Sequence, residues 1–139
     1  MKLALAALIL LPQIALAQDA ESLRARIEAH YNAIHAGDGD AVWGHHLEEF
    51  TLFPQTGHVL REAGFREAAT RMGAEQVFPS LNVEMRHFSA QIYDDVGVAT
   101  FYLDGSVGDE RGTWRVTAVW VWRDGAWMEA HHHESRLVS

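Results

Sequence analysis

The sequence predicts an α+β domain whose helices pack on one face of a curved, mainly antiparallel sheet. Three observations lead there. Residues 20–36 repeat apolar side chains at helical spacing. The second half of the chain is dominated by long β-prone runs over Asn82–Tyr93, Val96–Asp104 and Trp114–Trp122. A tight Asp124-Gly125 turn then folds the last of these back into a final run that carries three consecutive histidines. Helical patterning followed by a succession of strands is the signature of helices segregated to one side of an antiparallel sheet.

The chain opens with Lys2, an apolar stretch from Leu3 to Leu11, Pro12, and the small-residue pattern Ala15-Leu16-Ala17. These are the parts of a secretory signal peptide. The apolar stretch is too short to span a bilayer core of about 30 Å, which takes roughly 20 residues. The expectation is cleavage after Ala17, export to the periplasm or outside the cell, and one domain over residues 18–139 with no membrane association after cleavage.

Leu23, Ile27, His30, Tyr31 and Ile34 then fall on one face of a helix, and Gly37 is placed to stop it. Asp38-Gly39-Asp40 forms a turn and caps a short second helix over Ala41–His46. Glu49–Phe53 reads as a short strand, Pro54–His58 as a turn, and Val59-Leu60 as a return. Phe65, Ala68, Ala69 and Met72 suggest a third helix over Phe65–Met72. In the run Asn82–Tyr93 the apolar phase moves from Val83 and Met85 to Phe88, Ala90 and Ile92, the slip that a β-bulge produces.

The arm Trp114–Trp122 is apolar on both faces. Trp114, Val116, Ala118, Trp120 and Trp122 lie on one side, and Thr117, Val119 and Val121 on the other. A strand with one wet face alternates apolar with polar residues. This arm therefore needs cover twice, and a second copy of the chain is the expected second cover.

Composition narrows the partners. The net charge is −8, and removing residues 1–17 takes away Lys2 and no acid, leaving a still more acidic domain. Such a surface repels phosphate backbones, so nucleic acid is not an expected partner. The absence of cysteine excludes disulfides, thiolate chemistry and sulfur-ligated zinc.

The chain resembles the nuclear transport factor 2-like superfamily, and within it the SnoaL-like and ketosteroid-isomerase-like proteins. The resemblance rests on His30-Tyr31-Asn32-Ala33-Ile34-His35-Ala36-Gly37-Asp38, Phe50-Thr51-Leu52-Phe53 and Val96-Gly97-Val98-Ala99-Thr100-Phe101. It continues through Arg115-Val116-Thr117, Asp124-Gly125-Ala126-Trp127 and His131-His132-His133-Glu134-Ser135. The ending is also similar to the association domain of calcium/calmodulin-dependent protein kinase. The resemblance implies a cone, in which a curved sheet wraps three N-terminal helices and leaves a pocket at the open end. It further implies that Trp114, Val116, Ala118 and Trp120 face inward, together with Met128, Ala130, His132 and Glu134. His131, His133 and Ser135 then lie on the outer face, where relatives pair sheet against sheet as homodimers.

The resemblance does not carry a known chemistry with it, because one fold hosts many functions. Where ketosteroid isomerases place a tyrosine, a base and a buried acid, this chain has His30, Pro54 and Ala118. Pro54 and Ala118 cannot transfer protons. Where the kinase association domain places pocket arginines, the nearest residues are Leu103, Ala118 and Glu134.

What remains is a small-molecule pocket lined by Phe53, Phe101, Leu103, Trp114, Ala118 and Trp120, with His30, His132 and Glu134 as its polar groups. His132 and Glu134 sit two apart on a strand and so share a face. The carboxylate can orient the imidazole and raise its pKa, giving an acid/base pair for isomerase-, cyclase- or dehydratase-type chemistry with His30 as a donor to the substrate. The alternative is a non-catalytic dimeric module with a vestigial pocket. His45, His46, His131 and His133 also raise a metal reading, but a metal needs at least three convergent ligands. The expectation is no metal site and no cofactor.

Overall fold

A computed structural model of the chain describes residues 18–54 and 81–138. In order along the chain these form α1 (Ala20–Ala36), α2 (Gly39–Trp43), β1 (His46–Phe53), β2 (Leu81–Tyr93), β3 (Val96–Val107), β4 (Glu110–Arg123) and β5 (Ala126–Arg136). The expected signal peptide, the turn after Pro54, the return at Val59-Leu60 and the third helix lie outside the described residues. The α+β class holds. Helices precede a single curved, open sheet of order β1-β5-β4-β3-β2, antiparallel throughout except that β1 runs parallel to β5.

Helix α1 is delimited by its own sequence. The Asp19 side chain accepts from the Ser22 backbone N–H at 2.8 Å, and the Ser22 hydroxyl oxygen accepts from the Asp19 N–H at 3.2 Å, a reciprocal capping box. Gly37 ends the helix at φ +68°, the left-handed conformation that glycine adopts without a Cβ clash. Leu23, Ile27, His30 and Tyr31 are its buried residues, all on the expected stripe.

Three features fasten α1 to the sheet. Trp127 donates its indole N–H to the Ser22 hydroxyl at 3.0 Å, and Arg26 Nε donates to the Trp127 carbonyl at 2.9 Å. Gly97 lets the helix approach closely, since a Cβ there would stand 2.5 Å from a Leu23 methyl. The core between helix and sheet is Leu23, Ile27, Tyr31, Val83, Ala99, Phe101, Leu103, Trp114, Val116, Ala118, Trp120 and Trp127.

Two strand irregularities decide which side chains face this core. In β2, Arg86 pairs with Tyr102 and Ser89 with Thr100, so one extra residue is accommodated near His87, which takes φ +53°. Val83 is buried before the bulge, and Phe88, Ala90 and Ile92 pack on the core after it. This is the phase slip the sequence displays. In β5, Glu129 pairs with Trp120 but His131 pairs with Val119, leaving Ala130 as the extra residue. The side-chain phase of β5 therefore reverses at Ala130.

That second bulge corrects the expected inward set of the last strand. Trp127 and Glu129, not Met128 and Ala130, are buried in its first half, while His132 in its second half is buried as expected. In β4 the assignment stands, with Trp114, Val116, Ala118 and Trp120 all buried. The β4–β5 turn places Asp124 and Gly125 at φ +53° and +82°, the pair of left-handed residues that a two-residue hairpin requires.

The second helix is shorter than expected. It ends at Trp43, and His45 and His46 enter the β1 region instead. Pairing with β5 explains the difference. The Glu129 N–H donates to the His45 carbonyl at 2.7 Å, and His46 is in register with Glu129, so the sheet captures two residues that local pattern assigns to a helix.

Candidate functional site

Polar side chains from three elements meet inside the sheet's concave surface. Helix α1 contributes His30, the α2–β1 junction contributes His45 and His46, and β5 contributes Glu129, His132 and Glu134. Glu129 is 1% exposed, a burial that a carboxylate tolerates only when paired and hydrogen-bonded. Its partners are close. His132 Nδ1 donates to Glu129 Oε1 at 2.7 Å, and His46 Nε2 lies 3.0 Å from Glu129 Oε2, within ion-pair range but not aligned as a hydrogen bond.

His132 is held from both sides, because its Nε2 also donates to Glu134 Oε1 at 3.0 Å. A ring that donates from both nitrogens is an imidazolium. The charge balance agrees. Burial disfavours the charged ring, but the Glu129 carboxylate and the hydrogen bonds to Glu129 and Glu134 outweigh it and raise the pKa to about 10. For Glu129 burial likewise favours the neutral acid, and the His132 charge and hydrogen bond, with His46 alongside, hold it below the usual carboxylate range. The result is a carboxylate–imidazolium–carboxylate chain leading from the buried Glu129 to Glu134, whose side chain is 10% exposed.

The neighbouring imidazoles are driven the other way. Burial, reinforced by the nearby His46, His132 and His45, lowers His30 to about 3 against the pull of Glu129. Burial and then Arg26 and His46 lower His45 to about 4. Both rings are neutral near pH 7. Burial, with the charges of Glu134 and Glu129, also raises Tyr31 well above the ordinary phenol value.

Among the described residues, five buried side-chain atoms lack a hydrogen-bond partner: His30 Nδ1, His45 Nδ1, His46 Nδ1, Trp120 Nε1 and Glu129 Oε2. Four belong to the cluster. The fifth, Trp120, stands edge-on to His30 with ring centroids 6.2 Å apart. Buried polar atoms are rarely left unsatisfied in folded proteins, and a concentration of them marks a place where water, an ion or a ligand completes the bonding.

The sequence-derived site residues separate into three groups. His30, His132 and Glu134 enter the cluster. Phe101, Leu103, Trp114, Ala118 and Trp120 are all buried in the apolar core between helix and sheet, with Trp120 edge-on to His30 and Ala118 in register with His132. Phe53 goes elsewhere. It is 40% exposed, and its ring packs on His131 and His133 at centroid distances of 5.8 and 5.4 Å, so it belongs to the opposite face from the cluster. His131 is tied there by a 2.8 Å bond between Nδ1 and Thr51 Oγ1. The four histidines considered together as metal ligands are thereby divided by the sheet, His45 and His46 within and His131 and His133 without.

Glu129 is the residue that sequence reasoning missed. A single regular alternation through Trp127–Glu134 places it outside, and only the bulge at Ala130 brings it in. The available signal was Trp127, whose large apolar ring needs the core and shares a face with Glu129.

Comparison with known proteins agrees with this architecture. The SnoaL-like domain family matches residues 23–139. Among curated proteins none matches the chain at a significant level. Solved structures with the same fold include a proposed dehydratase of the NTF2-like family from Streptomyces avermitilis, at TM-score 0.72 and 14% identity over 86% of this chain and 96% of that one. An NTF2-like protein of unknown function from Pseudomonas putida aligns at TM-score 0.72 and 17% identity, covering 86% and 87%. The hub domain of the S. rosetta calcium/calmodulin-dependent kinase aligns at TM-score 0.68 and 19% identity, covering 87% and 98%. With a family match over most of its length and this fold, the chain belongs to the SnoaL-like domain family.

Proposed function

We propose that this is an exported SnoaL-like protein that binds a small, largely apolar molecule in its cone and performs histidine-based proton transfer on it, of the isomerase, cyclase or dehydratase type. The observation that carries the reading is the buried His–Glu cluster set into an apolar surface. Burying this many titratable groups costs stability unless their charges are matched, and here several polar atoms remain unmatched. An apolar wall with a few convergent polar groups is the general form of a small-molecule site.

Within it, His132 acts as a fixed positive charge and acid rather than as a base, since both ring nitrogens already hold protons against carboxylates. Glu134 is the less buried end of that chain and the natural proton acceptor. His30 is neutral and has a free ring nitrogen to offer a hydrogen bond to the substrate. The related dehydratase fold from Streptomyces avermitilis supports the reaction class. Export is supported by the signal-peptide pattern and by a first helix whose cap at Asp19 lies just beyond the expected cleavage point.

A homodimer through the outer sheet face completes the reading. On that face of β4, Val119 and Val121 are only half-buried in the single chain. The hub-domain likeness favours assembly as the alternative function, a dimeric module without turnover. Native mass spectrometry of protein purified from its own host separates the two. A reproducible mass excess from a small organic molecule, reduced in the double variant His132→Gln/Glu134→Gln, is the expected result. Ligand-free dimer in every preparation, with no compound from an apolar carbonyl library raising the melting temperature, sinks the ligand reading and leaves assembly.

A further inference from the structure

We propose that His30, His46 and Glu129 form a binding site for a first-row divalent transition metal such as zinc. This goes beyond the proposed function, which requires no metal. It moves His30 from substrate donor to metal ligand and leaves His132 and Glu134 to the small molecule.

The three residues arrive from three different elements, α1, β1 and β5, and their ligand atoms lie within 4.8 Å of one another. Zinc at 2.0–2.2 Å from nitrogen and oxygen ligands draws tetrahedral neighbours to roughly 3.4 Å, so the widest pair needs to close by up to about 1.4 Å. Two imidazoles and one carboxylate are a donor set that zinc and its first-row neighbours accept, with a further position left for water or a substrate oxygen.

Each residue is more than nine-tenths buried, and each has an atom with no hydrogen-bond partner inside the protein: His30 Nδ1, His46 Nδ1 and Glu129 Oε2, the last with His46 Nε2 in ion-pair range. Both ring nitrogens of a neutral imidazole want a bond, one as donor and one as acceptor. Here one nitrogen of each ring has no hydrogen-bond partner in the protein, and a cation is a partner that nitrogen and carboxylate oxygen can share.

The surroundings fit such a role. Glu129 Oε1 is already engaged by His132, which fixes the carboxylate and leaves Oε2 directed at His46. Hydrogen-bonded support of this kind is characteristic of metal-binding carboxylates. Aromatic rings close the site off. Phe50 and Trp43 lie 4.1 and 5.3 Å from the His46 ring, and Tyr31 lies 5.5 Å from the His30 ring, centroid to centroid.

The test uses the full folded domain, stripped with EDTA and then dialysed against Zn2+ or Co2+. One retained metal per chain is expected, with cobalt visible absorption of a four- or five-coordinate site. The variants His30→Asn and His46→Gln should each weaken retention at least 10-fold, while the outer-face variant His131→Ala/His133→Ala should bind as the unaltered protein does. Metal lost from the outer-face variant but kept by the inner ones overturns the assignment. So does a stripped, folded chain that retains none, which means that ordered water satisfies the orphan atoms. Should the inner variants fail to fold, Cu2+ electron paramagnetic resonance on the outer-face variant His131→Ala/His133→Ala still decides. Two coupled imidazole nitrogens support the site, and any other number rejects it. None of these readouts involves the organic ligand, so failure here leaves the proposed function standing.

Discussion

Glu129→Gln is the most informative single change, because it keeps the shape of the side chain and removes only its charge. In the fold, His132 titrates at about 10 against an ordinary 6.5. With each pKa unit equivalent to about 1.4 kcal/mol, linkage at pH 7 gives the charged ring about 4 kcal/mol of stabilisation. Glu129 and Glu134 share in this, and Glu129 is the nearer and more buried. Losing it should cost about 3 kcal/mol, in line with the 3–5 kcal/mol typical of breaking a buried pair.

The pH dependence has a definite sign. A raised histidine pKa contributes stability that is complete below about 6.5 and disappears as pH rises toward 10. The depressed Glu129 contributes stability present above its ordinary 4.5 and lost as pH falls below it. Glu129 and Glu134 on β5 bond to His132, with His30 on α1 and His131 on β5 in electrostatic reach of it, while His46 on β1 and Tyr31 on α1 act on Glu129. Only Glu129 changes in the variant. Urea unfolding followed by tryptophan fluorescence, on EDTA-treated protein from pH 5 to 10, measures both quantities. The variant should be weaker at pH 7 and lose less stability between pH 7 and 10. Equal stability at pH 7 to within about 1 kcal/mol, or an unchanged alkaline slope, refutes the ion pair.

Three further outcomes follow from the fold. Gly105→Ala should cost more than about 2 kcal/mol in urea unfolding, since φ is +152° and the new Cβ would collide with the Asn82 carbonyl oxygen. Trp127→Phe should lower stability by about 1–3 kcal/mol through the lost Ser22 bond and a partial cavity, and Ser22→Ala should cost less in that variant than in the unaltered chain, because only its capping-box bonds to Asp19 remain to be lost. Sedimentation equilibrium at micromolar concentration should find dimer in the unaltered chain and monomer in Val119→Lys/Val121→Lys; monomer in both rejects the outer-face interface.

Much of the fold is legible in the sequence because its markers are local. The stripe Leu23–Ile34, the stop at Gly37, the Asp124-Gly125 turn and the phase slip in β2 each follow from a few neighbouring residues. The cluster is less legible because two non-local events build it. His45 and His46 leave a helical context only because β5 pairs with them, and Glu129 turns inward only because β5 slips by one residue against β4. The pair His132 and Glu134 is readable from simple alternation, since both follow the bulge. Resemblance assigns Phe53 to the pocket, but it shares a strand face with Thr51, which sets it against His131 and His133.

The parallel pairing of β1 with β5 also has a kinetic consequence. Thr51 and His131 are 80 residues apart, and His46 meets Glu129 across a similar span. Contacts of such separation bear the largest loop-closure entropy and form late. The β2–β3–β4 meander can assemble from neighbouring hairpins, whereas the cluster comes into being only when the final strand docks beside the first. Until then its histidines and acids stay solvated and titrate as in a peptide. The cluster is thus a built-in marker of completed folding, and truncation within β5 abolishes it while the meander keeps its pairing partners.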